Sequence, residues 1–242
     1  MDNPSENAIS SEDTVKTIFF IEGNVSSGKT TVIETLRKIG YSVFEEPLET
    51  WQNEYLQDGR NILDLFYSDM PVWSFKFEMI SMVTRYKQLL KALEDPSDII
   101  FIERSLLTDR YVFALNLYNS KIFSQLDWKI YCDLHDMFVG LVNKQLSQHI
   151  IEYIYIQTHP EECFSRKTGR ARAEEDSVAP AYFHQLHNRH EEWLSGGMAI
   201  SHGRSYEVHT IRGGVSREEV VSQIIEIMGT KQLVKRFIQL ME

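Results

Sequence analysis

The sequence predicts an α/β fold, a parallel five-stranded sheet flanked by helices, and three observations carry that expectation. Short, almost wholly apolar runs recur at 17–21, 41–44, 98–102, 152–156 and 206–211, as strands covered on both faces should read. Stretches with helical spacing separate them, at 30–39, 72–93, 106–118, 128–146, 180–194 and 216–228, and strands alternating with helices pair in parallel. Between the first run and the first helix lies Gly23-Asn24-Val25-Ser26-Ser27-Gly28-Lys29-Thr30, the strand–loop–helix spacing of a phosphate cradle.

Taken in order, each strand end carries chemistry. Backbone N–H groups of the first loop, at the positive end of a helix, converge on phosphate oxygens. Lys29 reaches the β- and γ-phosphates and the Thr30 hydroxyl ligates Mg²⁺, so the chain is expected to bind a nucleoside triphosphate. The second run ends in Glu45-Glu46-Pro47 and the third in Glu103-Arg104-Ser105, and ligands in such sheets bind beyond the carboxyl ends of the strands. A carboxylate closing an apolar strand, as Glu103 does, is costly unless a cation waits there. The fourth run leads through a short helix from Pro160 to Arg166, Lys167, Arg170 and Arg172. Alone, such a run reads as a solvated helical face. His187 and His190 stand three apart on a helix, but His-x-x-His-Glu is no zinc-protease pattern, and they read as buried or capping histidines. A final segment, 231–240, also has helical spacing and no assigned place in the sheet.

Composition narrows the class. Hydrophobic residues at 43% and charged residues at 25% are ordinary for a soluble domain. No linker interrupts 15–242, so one domain is expected, preceded by a disordered acidic tail at 1–14 that contains no basic residue. The net charge of −10 argues against a general nucleic-acid surface but not against a small anion, which needs only local positive charge. Two cysteines, Cys132 and Cys163, are too few for a disulfide framework and read as reduced thiols. No apolar run approaches the ~18 residues of a membrane span. An intracellular, cytoplasmic protein without membrane or nucleic-acid partners is the expectation.

Several pieces in this order resemble the cellular deoxynucleoside kinase family, which includes deoxycytidine and deoxyguanosine kinases and the broad insect-type enzymes. They are Ile21-Glu22-Gly23 through Thr30-Thr31, Glu46-Pro47-Leu48-Glu49-Thr50-Trp51, Glu103-Arg104-Ser105 and Asp109-Arg110-Tyr111. To these add Arg170-Ala171-Arg172-Ala173-Glu174-Glu175 and Leu186-His187-Asn188-Arg189-His190-Glu191-Glu192-Trp193-Leu194. The likeness spans about 17–212. It implies a single P-loop kinase domain with a basic lid at about 166–176. Such an enzyme passes the γ-phosphate of ATP, or another NTP, with Mg²⁺, to the 5′-hydroxyl of a deoxyribonucleoside in nucleotide salvage.

The resemblance assigns roles residue by residue. Gly23, Asn24, Val25, Ser26, Ser27, Gly28, Lys29, Thr30 and Thr31, with Arg166 and Arg170 of the lid, hold the donor. Thr30 and Glu103 hold the metal. Glu46 takes the 5′-hydroxyl proton, although Glu103 borders the same phosphate and is the other candidate base. Arg104 orients the 5′-oxygen and Glu46. Glu175 and Tyr67 receive the sugar 3′-hydroxyl. Trp51, Phe77 and Phe113 surround the base, with Glu78, Arg85 and Asp109 near its edge. A homodimer through 128–146 is also implied.

Two departures matter. The family usually has glutamine where this chain has Glu78, and an ionised carboxylate only accepts hydrogen bonds. Guanine and thymine offer ring N–H groups to such an acceptor, and Arg85 would serve their O6 or O4. Deoxyguanosine or thymidine is therefore expected ahead of deoxycytidine. Arg212-Gly213-Gly214 replaces the acidic residues that relatives often carry near the donor base, which leaves the donor open. Competing readings are a thymidylate-like monophosphate kinase, a non-catalytic assembly subunit of the same family, and a P-loop GTPase. Glu46 would repel a phosphorylated acceptor, and Lys29, Thr30, Glu46, Glu103 and Arg104 are all present. No guanine-specific or switch motif appears.

Overall fold

The computed structural model describes residues 15–170, 172–175 and 178–241; the expected tail at 1–14 lies outside them. Strand β1 (Thr17–Glu22) leads through the phosphate loop to α1 (Lys29–Lys38), and β2 (Ser42–Phe44) follows. Next come α2 (Leu48–Asn53), a hairpin of β3 (Leu56–Gln57) and β4 (Arg60–Asn61), α3 (Ile62–Ser68) and the long α4 (Met70–Glu94). Strand β5 (Ile99–Glu103) precedes α5 (Leu106–Thr108), a π-helical turn (Asp109–Ala114), α6 (Leu115–Asn119) and α7 (Gln125–Leu146). The chain continues with β6 (Ile150–Gln157), α8 (Pro160–Arg170), a 3₁₀ turn (Ala173–Glu175), α9 (Pro180–Leu194), β7 (Met198–Ser201), β8 (Arg204–Arg212) and α10 (Arg217–Met241).

The main sheet runs β2-β5-β1-β6-β8-β7. Strand β1 pairs in parallel with β5 and β6, β2 with β5, and β6 with β8. Alternation along β1 splits the core. Ile18 and Phe20 join the large cluster containing residues of α4 and α7, while Phe19 and Ile21 pack with Val32, Ile33 and Leu36 of α1 and Ile224 of α10. Side chains alternate across a strand, so one apolar run supplies both layers. The carboxyl ends of β1, β2 and β5 consequently open side by side.

The structure corrects the expectation in four places. The five predicted strands are present, but a sixth, β7, pairs antiparallel with β8 across the turn His202-Gly203. It is four residues long and sits behind Gly196-Gly197, so it carried little apolar signal. The helix expected at 106–118 is not uniform, because a π-helical turn occupies its middle. The segment 231–240 continues α10 and is not a separate helix. Helices α2 and α3 and the hairpin between them were also unread. Its turn, Asp58-Gly59, has positive φ at both residues (53° and 77°), as two-residue hairpins require.

Candidate active site

The phosphate loop is shaped by backbone demands. Gly23 has φ 149°, and a Cβ there would lie 2.9 Å from the Ile156 carbonyl oxygen, so only glycine fits. Gly28, at φ 105°, starts α1 without a side-chain cap, leaving the first N–H groups of the helix for a ligand. The Asn24 amide donates to Phe183 O at 2.9 Å, and its Oδ1 accepts from Val25 N at 2.8 Å. Lys29 is buried and donates to the carbonyl oxygens of Gly23 (3.2 Å) and Asn24 (2.8 Å). Burial, helped by Arg104 and opposed by Glu103 and Glu46, lowers its pKa to about 8.

The sign of that shift yields a test. At pH 9 the free lysine is largely neutral, and a bound polyphosphate favours the ammonium. Triphosphate binding should then take up a fraction of a proton near pH 9 and almost none at pH 6.5. Calorimetry in buffers of different ionisation enthalpy reads this directly. Equal uptake in wild type and Lys29→Met would remove Lys29 as its source.

Beyond the loop a cleft of about 530 Å³ opens. The phosphate loop from Val25 to Thr31 lines it together with Glu46, Tyr67, Glu103, Arg104, Arg170 and Glu175. Thr30 Oγ1 donates to Glu103 at 3.2 Å, so the two expected metal ligands meet. They offer hard oxygen donors of the kind Mg²⁺ takes alongside phosphate and water. Burial and the nearby Glu46 raise the Glu103 pKa against the pull of Lys29 and Arg104.

Glu46 is the charge hub. It pairs with Arg85 and lies 3.1 Å from Arg104 Nε. Burial alone would raise its pKa, but Arg85, Arg104 and Lys29 outweigh that and bring it down to about 2. Arg104 is held there by a strained backbone, φ 64°, in a region costly for a non-glycine residue. Its N–H donates to Ile21 O at 3.0 Å, and its guanidinium lies 4.9 Å from the Phe113 ring centre.

The residue behind this turn went unread. Glu22, fully buried at the end of β1, accepts from Ser105 Oγ at 2.9 Å and from Thr108 Oγ1 at 2.6 Å. Ser105 and Thr108 in turn form the capping box of α5. A carboxylate closing an apolar strand, Ile21-Glu22-Gly23, was the available signal.

Most expected acceptor residues converge. Trp51 donates to Thr84 Oγ1 at 2.9 Å and stands edge-on to Phe77 with ring centres 5.2 Å apart. Burial first, then Glu175 and Glu46, raises the Tyr67 pKa, which keeps the phenol a neutral donor. Gly23 and Asn24 shape the loop. Asp109 accepts from Arg85 Nε at 2.8 Å and Ser81 Oγ at 3.0 Å, and so positions Arg85. Arg170 donates to both oxygens of Glu175 at 2.8 and 2.7 Å, and Arg172 adds a contact at 3.0 Å. The 3₁₀ turn that carries Glu175 is tied down by Glu174 Oε1, which accepts from Gln52 and Asn61 at 2.9 and 3.0 Å.

Glu78 lines the cleft deep in α4. It is buried, its Oε2 has no hydrogen-bond partner, and burial together with Asp109 raises its pKa well above the usual carboxyl range despite Arg85. That direction works against an ionised acceptor at this position.

The histidines stay outside the chemistry. Buried His190 uses Nδ1 on Leu186 O at 2.7 Å, and His187 lies 4.0 Å from Glu191. His135, Asp136 and His202 converge, but Arg110 already occupies Asp136. That cluster is a clasp joining α7 to the β7–β8 turn.

A phosphate loop facing a carboxylate held between two guanidiniums defines a P-loop phosphotransferase. The sequence matches the deoxynucleoside kinase family over residues 19–230. It is 36% identical to a probable deoxycytidine kinase of fowlpox virus, over 72% of this chain and 70% of that protein. It is 34% identical to human deoxycytidine kinase (79% and 80%) and 31% identical to the mitochondrial deoxyguanosine kinase of Xenopus laevis (72% of each). The chain belongs to the deoxynucleoside kinase family, whose phosphate donor is an ATP-type nucleoside triphosphate. Among the described residues no helix is long and apolar enough to cross a membrane.

Proposed function

We propose that residues 15–242 work as one kinase domain, with a lid at 166–176, that transfers the γ-phosphate of ATP to the 5′-hydroxyl of a deoxyribonucleoside in nucleotide salvage. The observation that carries this reading is Glu46, ionised between Arg85 and Arg104 on the cleft that Lys29 and the Thr30–Glu103 pair also line. Glu46 accepts the 5′-hydroxyl proton while Arg104 orients the attacking oxygen. The loop amides and Lys29 hold the donor phosphates, and Arg166 and Arg170 steady charge on the transferring group. Thr30 and Glu103 would hold Mg²⁺, which supplies further charge neutralisation. Tyr67 and Glu175 receive the 3′-hydroxyl, so Arg170 must exchange Glu175 for phosphate as the lid engages.

The relatives' names favour deoxynucleosides over monophosphates as acceptors. The discriminating assay offers the four deoxynucleosides and thymidine monophosphate with ATP and Mg²⁺, using Lys29→Met as the blank. Phosphorylation of the deoxynucleosides is expected. Preference for the monophosphate would overturn the reading.

A homodimer is part of the proposal. Leu126, Ile130, Met137 and Leu141 of α7 are exposed and recur at helical spacing on one side, an apolar stripe of the kind that marks an interface. Light scattering should show a dimer that Met137→Asp with Leu141→Asp converts to monomer. A wild-type monomer at micromolar concentration would refute it.

A further inference from the structure

The strand that opens the phosphate loop also holds the turn beside it. Glu22 closes β1 directly before Gly23, whose carbonyl oxygen receives Lys29 Nζ. In the parallel pair of β1 and β5, Ile21 stands opposite Glu103, which sets Glu22 beside the turn Arg104-Ser105. Its side chain is fully buried. Thr108 Oγ1 donates to the carboxylate at 2.6 Å from each oxygen, and Ser105 Oγ donates to one of them at 2.9 Å. Each hydroxyl also accepts a backbone N–H, Thr108 from Ser105 at 3.2 Å and Ser105 from Thr108 at 3.3 Å. The hydroxyl protons are left for Glu22, and the 3.2 Å between the two hydroxyls exceeds either contact to the carboxylate. Of the charges facing Glu22, Arg104 acts most strongly, ahead of Arg85.

The cap of α5 is complete without Glu22, because Ser105 and Thr108 satisfy each other's N–H groups. A buried carboxylate is a costly addition to it, and what the addition secures is the residue just before the cap. Arg104 sits at φ 64°, a conformation that persists only where its surroundings over-determine it. Its N–H is fixed on Ile21 O at 3.0 Å, and Ser105, held by Glu22, fixes the other side of the same residue. The side chain has few ties of its own: Nη1 is buried without a hydrogen-bond partner among the described residues. Resting on the kinase reading above, we infer that Glu22 is a positioning residue for phosphoryl transfer, pinning the Arg104 backbone through Ser105 and Thr108 so that the guanidinium stays on Glu46. Arg104 Nε lies 3.1 Å from that carboxylate. Because the main chain of Glu22 runs straight into the phosphate loop, one residue sets the spacing between the donor phosphates and the group that orients the attacking oxygen. Misplacing such a group by about an ångström costs about 10²-fold in rate.

The test takes Glu22→Leu, Glu22→Gln and Thr108→Val, each alone and with Arg104→Met, and reads kcat, acceptor KM and donor affinity with deoxynucleosides, ATP and Mg²⁺. Glu22→Leu should lower kcat by about 10–100-fold while donor affinity stays within about threefold. Thr108→Val cuts the same tie from its other end and should show the same split, which keeps the test open if Glu22→Leu does not fold. Glu22→Gln keeps an oxygen where both hydroxyls meet and should bring kcat back to within about fivefold of wild type. With Arg104→Met already present, each change should move kcat by less than about threefold, because residues that act as a unit are not additive. Amide exchange read by mass spectrometry should quicken across 103–108 in Glu22→Leu and Thr108→Val and return toward wild type in Glu22→Gln. An unchanged kcat in Glu22→Leu, losses of the same size with and without Arg104, or unchanged exchange across the turn would each overturn the inference. A wild-type protein that phosphorylates no deoxynucleoside overturns the kinase reading instead, and the exchange data still decide whether Glu22 holds the turn.

Discussion

Glu46→Gln should lower kcat by about 10²–10⁴-fold, the range for losing a positioned general base, while donor affinity stays within about threefold. The amide keeps the shape but cannot take the 5′-hydroxyl proton. It also frees Arg85 and Arg104 from their shared counter-charge, which favours an anionic donor if it changes anything. A carboxyl with its pKa near 2 is a weak base in water. The attacking oxygen becomes acidic only as it bonds to phosphorus, however, and in a loose transition state that happens late. What the guanidiniums secure is that Glu46 is ionised whenever the substrate arrives. A folded pKa below the usual carboxyl value means that protonation of Glu46 cannot limit the rate until the pH falls toward 2. Any acid limb of kcat/KM at milder pH must then come from another group. Rapid-quench single turnovers beside calorimetric donor titrations separate chemistry from binding. If Glu46→Gln kept more than a tenth of kcat while Glu103→Gln lost activity, the proton would belong to Glu103.

What could be read from the chain followed the reach of each signal. The phosphate loop was legible because its function lies in backbone geometry, and Gly23, Gly28 and Lys29 reveal that geometry by spacing alone. The strands at 17–21 and 98–102 were legible because burial on both faces leaves a polar residue only at the first position of each, Thr17 and Asp98. Strand β7 was not, since four residues beside a longer partner draw their stability from pairing. The π-helical turn at Asp109–Ala114 was hidden for a related reason. Side-chain periodicity over 106–118 reads as one helix, and only tertiary packing reveals the extra residue in the turn. Asp109 was found by resemblance near the base edge, and only packing shows that its carboxylate holds Arg85. The burial of Glu78 was not legible, because its neighbours Asp109 and Arg85 lie on separate helical segments. Arg170 was assigned to phosphate, and only coordinates place its guanidinium on Glu175.

Arg85→Met should be the most destabilising single change in the site. Arg85 is 3% exposed, joins Asp109 at 2.8 Å and pairs with Glu46. Burial opposes its charge, but those two carboxylates outweigh burial and raise its pKa. Removing it leaves Asp109, 1% exposed, with the Ser81 hydroxyl as its remaining donor among the described residues. Breaking one side of a buried pair costs about 3–5 kcal/mol. In a domain of this size each kcal/mol moves Tm by about 2–4 °C, so a fall of roughly 6–20 °C is expected. Burial raises the Asp109 pKa even with Arg85 present, and without the guanidinium it rises further. The stranded carboxyl is then relieved by a proton as pH falls, so the gap to wild type should narrow between pH 7.5 and pH 5. Arg85→Met with Asp109→Leu removes both charges and should recover part of the loss, as buried pairs replaced by apolar groups commonly do. Glu46, left with Arg104, should lose part of its pKa depression, so the acid limb set by this group moves upward. Calorimetric melts of the three proteins at the two pH values decide the stability argument, and pH–rate profiles decide the last point. A Tm within 2 °C of wild type for Arg85→Met would show that this guanidinium is not buried between two carboxylates in solution. The account of Glu46 would fall with it.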